Sequence, residues 1–190
     1  MTCIIGIVDK KNKRVLIGAD SAGVAGNNIT IRKDTKVFSV GEFVIGCTSS
    51  FRMIDILKYN FTPPKFPVYT EPKKFKEDRI HKYMCTLFID EIRKVFKDSG
   101  FMEKHSEAEF GGFFLVGYKN RLFKIENDFQ VGESKEGFDS IGCGSDFAIG
   151  AMNVLINSPV SHRTKIELAL KTSAKFNTGV RGPFIIETTY

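Results

Sequence analysis

With 190 residues, 42% of them hydrophobic and 26% charged, the chain is long enough to bury a core without disulfides or metals, and it reads as one domain spanning 1–190. The net charge of +6 is modest, and the densest basic group (Lys73, Lys74, Lys76, Arg79) is interleaved with Glu71, Glu77 and Asp78, the pattern of a solvated helix start rather than of a nucleic-acid stripe. No apolar run reaches the ~18 residues of a membrane span and no signal peptide precedes the first strand, so a cytoplasmic protein with no membrane partner is expected.

Thr2–Val8 (TCIIGIV) is β-branched and apolar and predicts a strand, and Arg14–Ala19 predicts its returning partner across a polar turn at Lys10–Lys13. A second pair follows, Lys36–Val40 and Phe43–Thr48, around Gly41-Glu42. Both faces of these strands are apolar, as in sheets sandwiched between other layers. Ser49 or Ser50 caps a helix reaching about Tyr59. Residues 60–72 hold four of the six prolines and predict a loop. From Phe75 to Lys97, the apolar residues Ile80, Met84, Leu87, Phe88, Ile92, Val95 and Phe96 follow the helical period. Ser99–Gly111 is polar and loop-like. Gly112–Tyr118 and Arg121–Ile125 predict a hairpin, and Asp139–Cys143 a short strand. Ser145 and Ser161 are read as caps of two further helices, and Pro183–Thr188 as a closing strand.

The resulting order is four strands, two helices, three strands, two helices and one strand. Blocks of strands with helices in adjacent pairs predict an α+β fold in which two packed antiparallel sheets are covered by helix pairs. Cys3, Cys47, Cys85 and Cys143 are scattered without a C-x-x-C pair and predict buried free thiols rather than disulfides or zinc. His81, His105 and His162 predict surface positions, and Gly142 and Gly144 predict turn glycines rather than a phosphate loop. No metal and no cofactor is implied.

One set of residues carries chemistry. A threonine hydroxyl is a poor nucleophile without an adjacent base. A threonine at a chain terminus has one in its own α-amine, whose unperturbed pKa is about 8. Removal of Met1 before the small residue Thr2 would free that amine. Such a site also needs a cation to orient the hydroxyl, a carboxylate to hold the cation and an N–H facing the developing oxyanion. Asp20 stands at the end of the second strand and Lys36 at the start of the third, and the two can meet. Cys3 is a poor alternative nucleophile because its side chain points away from that of Thr2.

The ordered set Thr2, Gly18-Ala19-Asp20-Ser21, Gly26-Asn27 and Lys36-Val37 resembles the proteasome β-subunit family and the related bacterial peptidase that works beneath an ATP-driven unfoldase ring. The interval of 16 residues from Asp20 to Lys36 matches the family interval without a gap. Cys47-Thr48-Ser49-Ser50-Phe51 falls on the family's apolar-A-G-G segment, Ile141-Gly142-Cys143-Gly144-Ser145 is similar to its I-G-S-G motif, and Lys175-Phe176-Asn177-Thr178-Gly179 to its D-x-x-S-G. The resemblance is good over 2–51 and 112–155, fair over 164–188, and absent over 59–78 and 99–111. It implies the four-layer αββα sandwich of the N-terminal-nucleophile hydrolases. It further implies a peptidase with Thr2 as nucleophile, Lys36 tuning the amine, Asp20 holding Lys36 and the Ser50 N–H as oxyanion donor. Cys143 would help position the amine, and Lys175 and Thr178 would occupy the remaining site positions. A homo-oligomeric ring, a polypeptide substrate and an ATP-dependent unfoldase partner are implied in the same way. The chain departs from the pattern where Cys143 replaces a serine, Lys175 an aspartate and Ser50 a glycine, and where Ala22 and Val24 stand for the usual Arg and Thr. Those departures keep open two alternatives, a catalytically inactive structural or assembly subunit and an amidohydrolase acting on a small amide.

Overall fold

The computed structural model describes residues 1–70 and 78–189. β1 (Ile4–Asp9) and β2 (Arg14–Ala19) form the expected hairpin, with Ile5 opposite Gly18. Its turn is held by Asp9, which accepts from the backbone and side-chain nitrogens of Asn12 (3.1 and 2.7 Å) and from Arg14 Nε (3.1 Å). β3 (Ala22–Ala25) and β4 (Asn28–Ile31) make a separate small hairpin around Gly26-Asn27. β5 (Val37–Val40) and β6 (Phe43–Cys47) pair next. After the helices come β7 (Glu103–His105), β8 (Ala108–Phe110), β9 (Phe114–Tyr118), β10 (Arg121–Ile125), β11 (Val131–Gly132), β12 (Phe138–Ile141) and β13 (Ile185–Thr188). Two main antiparallel sheets result, ordered β12-β1-β2-β13 and β11-β10-β9-β6-β5.

The period-2 alternation of the strands sorts their side chains into three apolar clusters. Ile4, Val15, Ile17, Val37, Val44, Leu115 and Leu122 meet between the two sheets. The other face of the first sheet, with Cys3, Ile5, Ile7 and Leu16, packs on α4 (Ser145–Leu155) and α5 (His162–Phe176). The other face of the second sheet, with Phe43, Ile45, Val116 and Phe123, packs on α1 (Phe51–Tyr59), α2 (Arg79–Tyr83) and α3 (Ile89–Asp98). Most of the chain's aromatic mass is here: Phe43 stacks on Tyr118 with centroids 4.1 Å apart, and Phe88 lies across from Phe61 at 5.4 Å.

Several expectations are corrected. The helix expected from Phe75 begins at Arg79, capped by Asp78, which accepts from His81 N at 2.9 Å. Phe75 and the basic residues Lys73, Lys74 and Lys76 lie outside the described residues. Between α2 and α3, Met84–Phe88 form a π-helical turn, whose extra residue per turn shifts the helical phase. Met84 and Phe88 are fully buried while Leu87, expected on the apolar face, is 44% exposed. Ser161 caps α5 as expected, accepting from Thr164 N, but Ser145 is the first residue of α4 and Gly144 holds its cap position. The segment read as a loop from Ser99 contains the β7–β8 hairpin. Of the four cysteines, all free, Cys3 and Cys47 are buried while Cys85 and Cys143 are exposed. His105 is exposed; His81 and His162 are half-buried, and His162 Nδ1 approaches Asp9 at 3.8 Å.

Glycine sets the spacing between the sheets. A Cβ on Gly46 would stand 2.6 Å from Ile4 Cγ2 and 2.9 Å from Ile17 Cγ2, and one on Gly6 would stand 2.7 Å from Leu122 Cδ1. Large side chains of one sheet thus fit into the gaps left by glycines of the other. Gly46→Ala should lower stability by about 1–3 kcal/mol through overpacking. Gly150→Ala, in α4 with open space around it, should raise stability by about 0.4–1 kcal/mol. Urea unfolding midpoints check both.

Candidate active site

Six chain segments end at one edge of the two main sheets, and each contributes through a strand or helix terminus. Ile4 pairs with Ala19, so the residues just before β1 and just after β2 face each other. Asp20 N donates to Cys3 O (3.2 Å) and Cys3 N donates to Asp20 Oδ1 (3.0 Å). Lys36, just before β5, is anchored by Cys47 N donating to its carbonyl (2.9 Å). Its ammonium donates to Asp20 Oδ1 at 2.8 Å. Asp20 Oδ2 accepts from Ala22 N (3.0 Å) and Arg181 N (3.3 Å), so the carboxylate has four donors. Asp20 and Lys36 are 1% and 2% exposed, and burial lowers the Lys36 pKa from 10.5 against the opposing pull of Asp20.

Thr2 is buried beside this pair. Its hydroxyl donates to Met1 O at 2.6 Å, and Lys36 Nζ donates to the same oxygen at 3.4 Å. Thr2 N donates to Cys143 Sγ at 3.3 Å, and Thr2 O accepts from Gly144 N at 3.2 Å. Gly142 makes this approach possible: its φ is +94°, and a Cβ there would run into the Thr2 carbonyl. Cys3 faces the opposite way, into the cluster under α4 and α5, where burial pushes its thiol up to about 11.

The expected residues are brought together unequally. Thr2, Asp20, Lys36 and Cys143 form one connected cluster. Ser50 lies at its rim, but its N–H donates to Thr48 O (3.0 Å) across a γ-turn centred on Ser49, whose φ is +74°. The Ser50 hydroxyl caps α1 by accepting from Arg52 N. Lys175 is exposed on α5, its ammonium 5.4 Å from the centre of the Phe176 ring, and Thr178 is exposed as well. Among the described residues no hydrogen bond or ion pair ties either to the cluster. The residue from that segment that does reach it is Asn177, the C-cap of α5, which the sequence reading passed over. Its Nδ2 donates to Cys143 O (2.8 Å), and its Oδ1 accepts from Gly179 N (2.9 Å) and lies 3.4 Å from Cys143 Sγ. The Asn-x-Gly pattern after an amphipathic helix is a helix-stop signal and marked that position. Among the described residues no group of His, Cys, Asp and Glu is placed to hold a metal ion.

Two cavities open at Met1, which lines both; Thr2 lines the smaller. One of about 100 Å³ lies toward Val24, Lys36, Cys47 and Phe51. The other, about 440 Å³, lies toward Phe113, Lys124, Glu126, Ile141 and Cys143.

Losing one partner of the buried pair should be costly, and the two losses should differ. Asp20→Ala strands the Lys36 ammonium and three backbone N–H groups and should cost about 3–5 kcal/mol. Lys36→Met leaves Asp20 with its three amide donors and should cost less. Denaturant titration of both variants measures the difference.

No protein-family model matches the chain, and no curated protein matches it by sequence. Solved structures match it over nearly its whole length. BPH from Thiobacillus denitrificans, solved in complex with epoxomicin, superposes with a TM-score of 0.75 at 20% identity over 97% of both chains. HslV from Trypanosoma brucei gives 0.65 at 14% identity over 98% of both. A Gly-1 mutant of Anbu from Hyphomicrobium sp. strain MC1 gives 0.66 at 15% identity over 98% of this chain and 80% of that one. The fold of the chain is therefore that of the proteasome β-subunit-like structures, the family its sequence resembles.

Proposed function

We propose that the chain is a threonine-type peptidase subunit whose nucleophile is Thr2, exposed by removal of Met1. The observation that carries this reading is the line from Asp20 through Lys36 to the Met1 carbonyl and the Thr2 hydroxyl. A cation held by a buried carboxylate stands beside the hydroxyl that must be activated. With Met1 gone, the amine of Thr2, directed by Cys143, takes the hydroxyl proton as the oxygen attacks a peptide carbonyl carbon. The same proton passes to the leaving nitrogen as the C–N bond breaks, and water then hydrolyses the ester on Thr2. The Ser50 N–H serves the oxyanion by exchanging its bond to Thr48 O for one to the substrate oxygen.

The three apolar clusters support a four-layer αββα sandwich as a single domain. Exposed apolar side chains support a homo-oligomer, with a ring as the arrangement that would enclose the sites. They include Ile29 and Ile31 on the β3–β4 hairpin and Phe147 and Phe176, stacked 5.7 Å apart, on α4 and α5. A polypeptide substrate, an ATP-dependent unfoldase partner and a cytoplasmic location complete the proposal. No described helix is long and apolar enough to cross a membrane. One observation favours the second reading, a catalytically inactive subunit: the Ser50 N–H is already engaged by Thr48.

Intact mass spectrometry separates the two readings. Protein lacking Met1 and incubated with epoxomicin, which BPH binds, should gain one inhibitor mass, and Thr2→Ala should gain none. An inert Thr2-terminal protein would establish the inactive reading. Lys36→Ala should slow peptide turnover about 10²-fold or more. The pH profile should be bell-shaped. Its acidic limb follows deprotonation of the amine, which burial and the neighbouring Lys36 ammonium place below the free α-amine value of about 8. Its basic limb follows loss of the Lys36 charge, and burial places that limb below the ordinary lysine value of 10.5.

A further inference from the structure

The larger cavity, lined by Met1 and Cys143, has a direction relative to the proposed reaction. The leaving nitrogen must take its proton from the Thr2 amine. The nitrogen that becomes this amine, now the peptide N–H of Thr2, donates to Cys143 Sγ at 3.3 Å. The part of the substrate that follows the scissile bond therefore departs over Cys143, and Cys143 is one wall of the cavity of about 440 Å³. The acyl part stays on the side of Ser50 and the smaller cavity. A volume of this size falls in the range of sites that hold a small ligand.

The walls of the larger cavity are chemically uneven. Phe113, 37% exposed, offers an apolar ring, and Ile141 adds to it. Lys124 Nζ and Glu126 Oε1, also in the lining, form an ion pair 2.9 Å long, with side chains 30% and 32% exposed. Asp139 also acts on Lys124. The hydrogen bond to Glu126 and the fields of Asp139 and Glu126 together raise the Lys124 pKa against the opposing effect of burial. Two carboxylates thus face one ammonium. An incoming anion would compete with both for Lys124. An incoming ammonium or guanidinium would find Glu126 accessible, with Phe113 available to pack its aliphatic stem.

We propose that this cavity is a specificity site for the residue after the scissile bond and that Glu126 makes it select a basic side chain. Glu126 acts as a specificity-determining residue and has no part in the bond-breaking step. The inference rests on the peptidase reading for its orientation but not for its charge preference. The two are tested separately.

The test uses two internally quenched peptides that differ only in carrying Lys or Glu immediately after the scissile bond. For Met1-free protein the ratio of kcat/KM, Lys over Glu, should be roughly fivefold, the size of a partly exposed charge pair. Glu126→Gln should bring the ratio to about 1, and Lys124→Met, which releases Glu126 from its partner, should raise it. A ratio near 1 in the unmodified chain, or one unchanged by Glu126→Gln, overturns the proposal. The same two peptides are titrated onto Thr2→Ala protein by fluorescence anisotropy, where no turnover is required. A Lys preference in binding that disappears in Thr2→Ala/Glu126→Gln supports the cavity assignment even if no peptide is cleaved, and the failure then belongs to the peptidase reading alone. Equal binding of both peptides to Thr2→Ala overturns the assignment.

Discussion

Burying a carboxylate and an ammonium costs several kcal/mol per ion, and the molecule does this at Asp20 and Lys36. The desolvation is offset because Asp20 accepts four hydrogen bonds: from Cys3, Ala22 and Arg181 on the backbone and from Lys36. Those donors come from the start of β1, the start of β3, the segment before β13 and the start of β5. One carboxylate thus ties both main sheets together at the edge where they would otherwise separate. An apolar pair here would leave the amides of Cys3, Ala22 and Arg181 without an acceptor, so the carboxylate has a structural use besides its partner. The charge pair is accounted for by what it does next: it holds an ammonium beside the Thr2 hydroxyl, in a place where water cannot screen it.

The accuracy of that placement depends on how closely the sheets pack. Gly6, Gly46 and Gly117 leave room for Leu122, Ile4 with Ile17, and Val15 respectively. Any side chain at these glycines would push the sheets apart or shear them. The strand ends bearing Asp20 and Lys36 sit on different sheets, so such a shift would act directly on a bond of 2.8 Å. The packing of the core and the geometry of the site are in this sense one constraint, acting at the middle and at the edge of the same interface.

Much of this was legible in the sequence because its signals are local. β-branched runs around a polar turn mark the β1–β2 hairpin, and a charge at the mouth of an apolar strand marks Asp20 and Lys36. What was missed lacks those signals. β3–β4 and β7–β8 have only three or four residues per strand and bury little apolar surface, and β11 is two residues long. The π-helical turn is invisible to a 3.6-residue period because it changes the period. Reading Lys175 and Thr178 into the site followed motif spacing alone. The structure instead turns the chain after Phe176 so that Asn177, the helix cap, is the side chain facing Cys143. A side chain's direction at a helix end depends on how the helix docks, and α5 docks through Ile166, Ala169 and Leu170 against the first sheet, contacts distant in sequence.

The site combines rigid parts with two that can change. Asp20, Lys36 and the backbone of Cys3 are buried and joined by hydrogen bonds through the Asp20 carboxylate. Met1 and Ser49, by contrast, are exposed. Met1 occupies the mouth between the two cavities, packed against Gly179, and its carbonyl takes up the donors of both Thr2 and Lys36. Under the proposed mechanism, its loss leaves both donors facing the new amine, which becomes their acceptor and the base. Ser49 holds a left-handed φ that serine adopts at a cost of about 1–3 kcal/mol. In return the Ser50 N–H has a partner in a γ-turn too tight for a linear hydrogen bond. A substrate oxyanion offers the same N–H a charge-assisted bond roughly twice as strong as a neutral one. Under the proposed mechanism, the exchange of one acceptor for the other is therefore favoured as negative charge develops on the substrate oxygen.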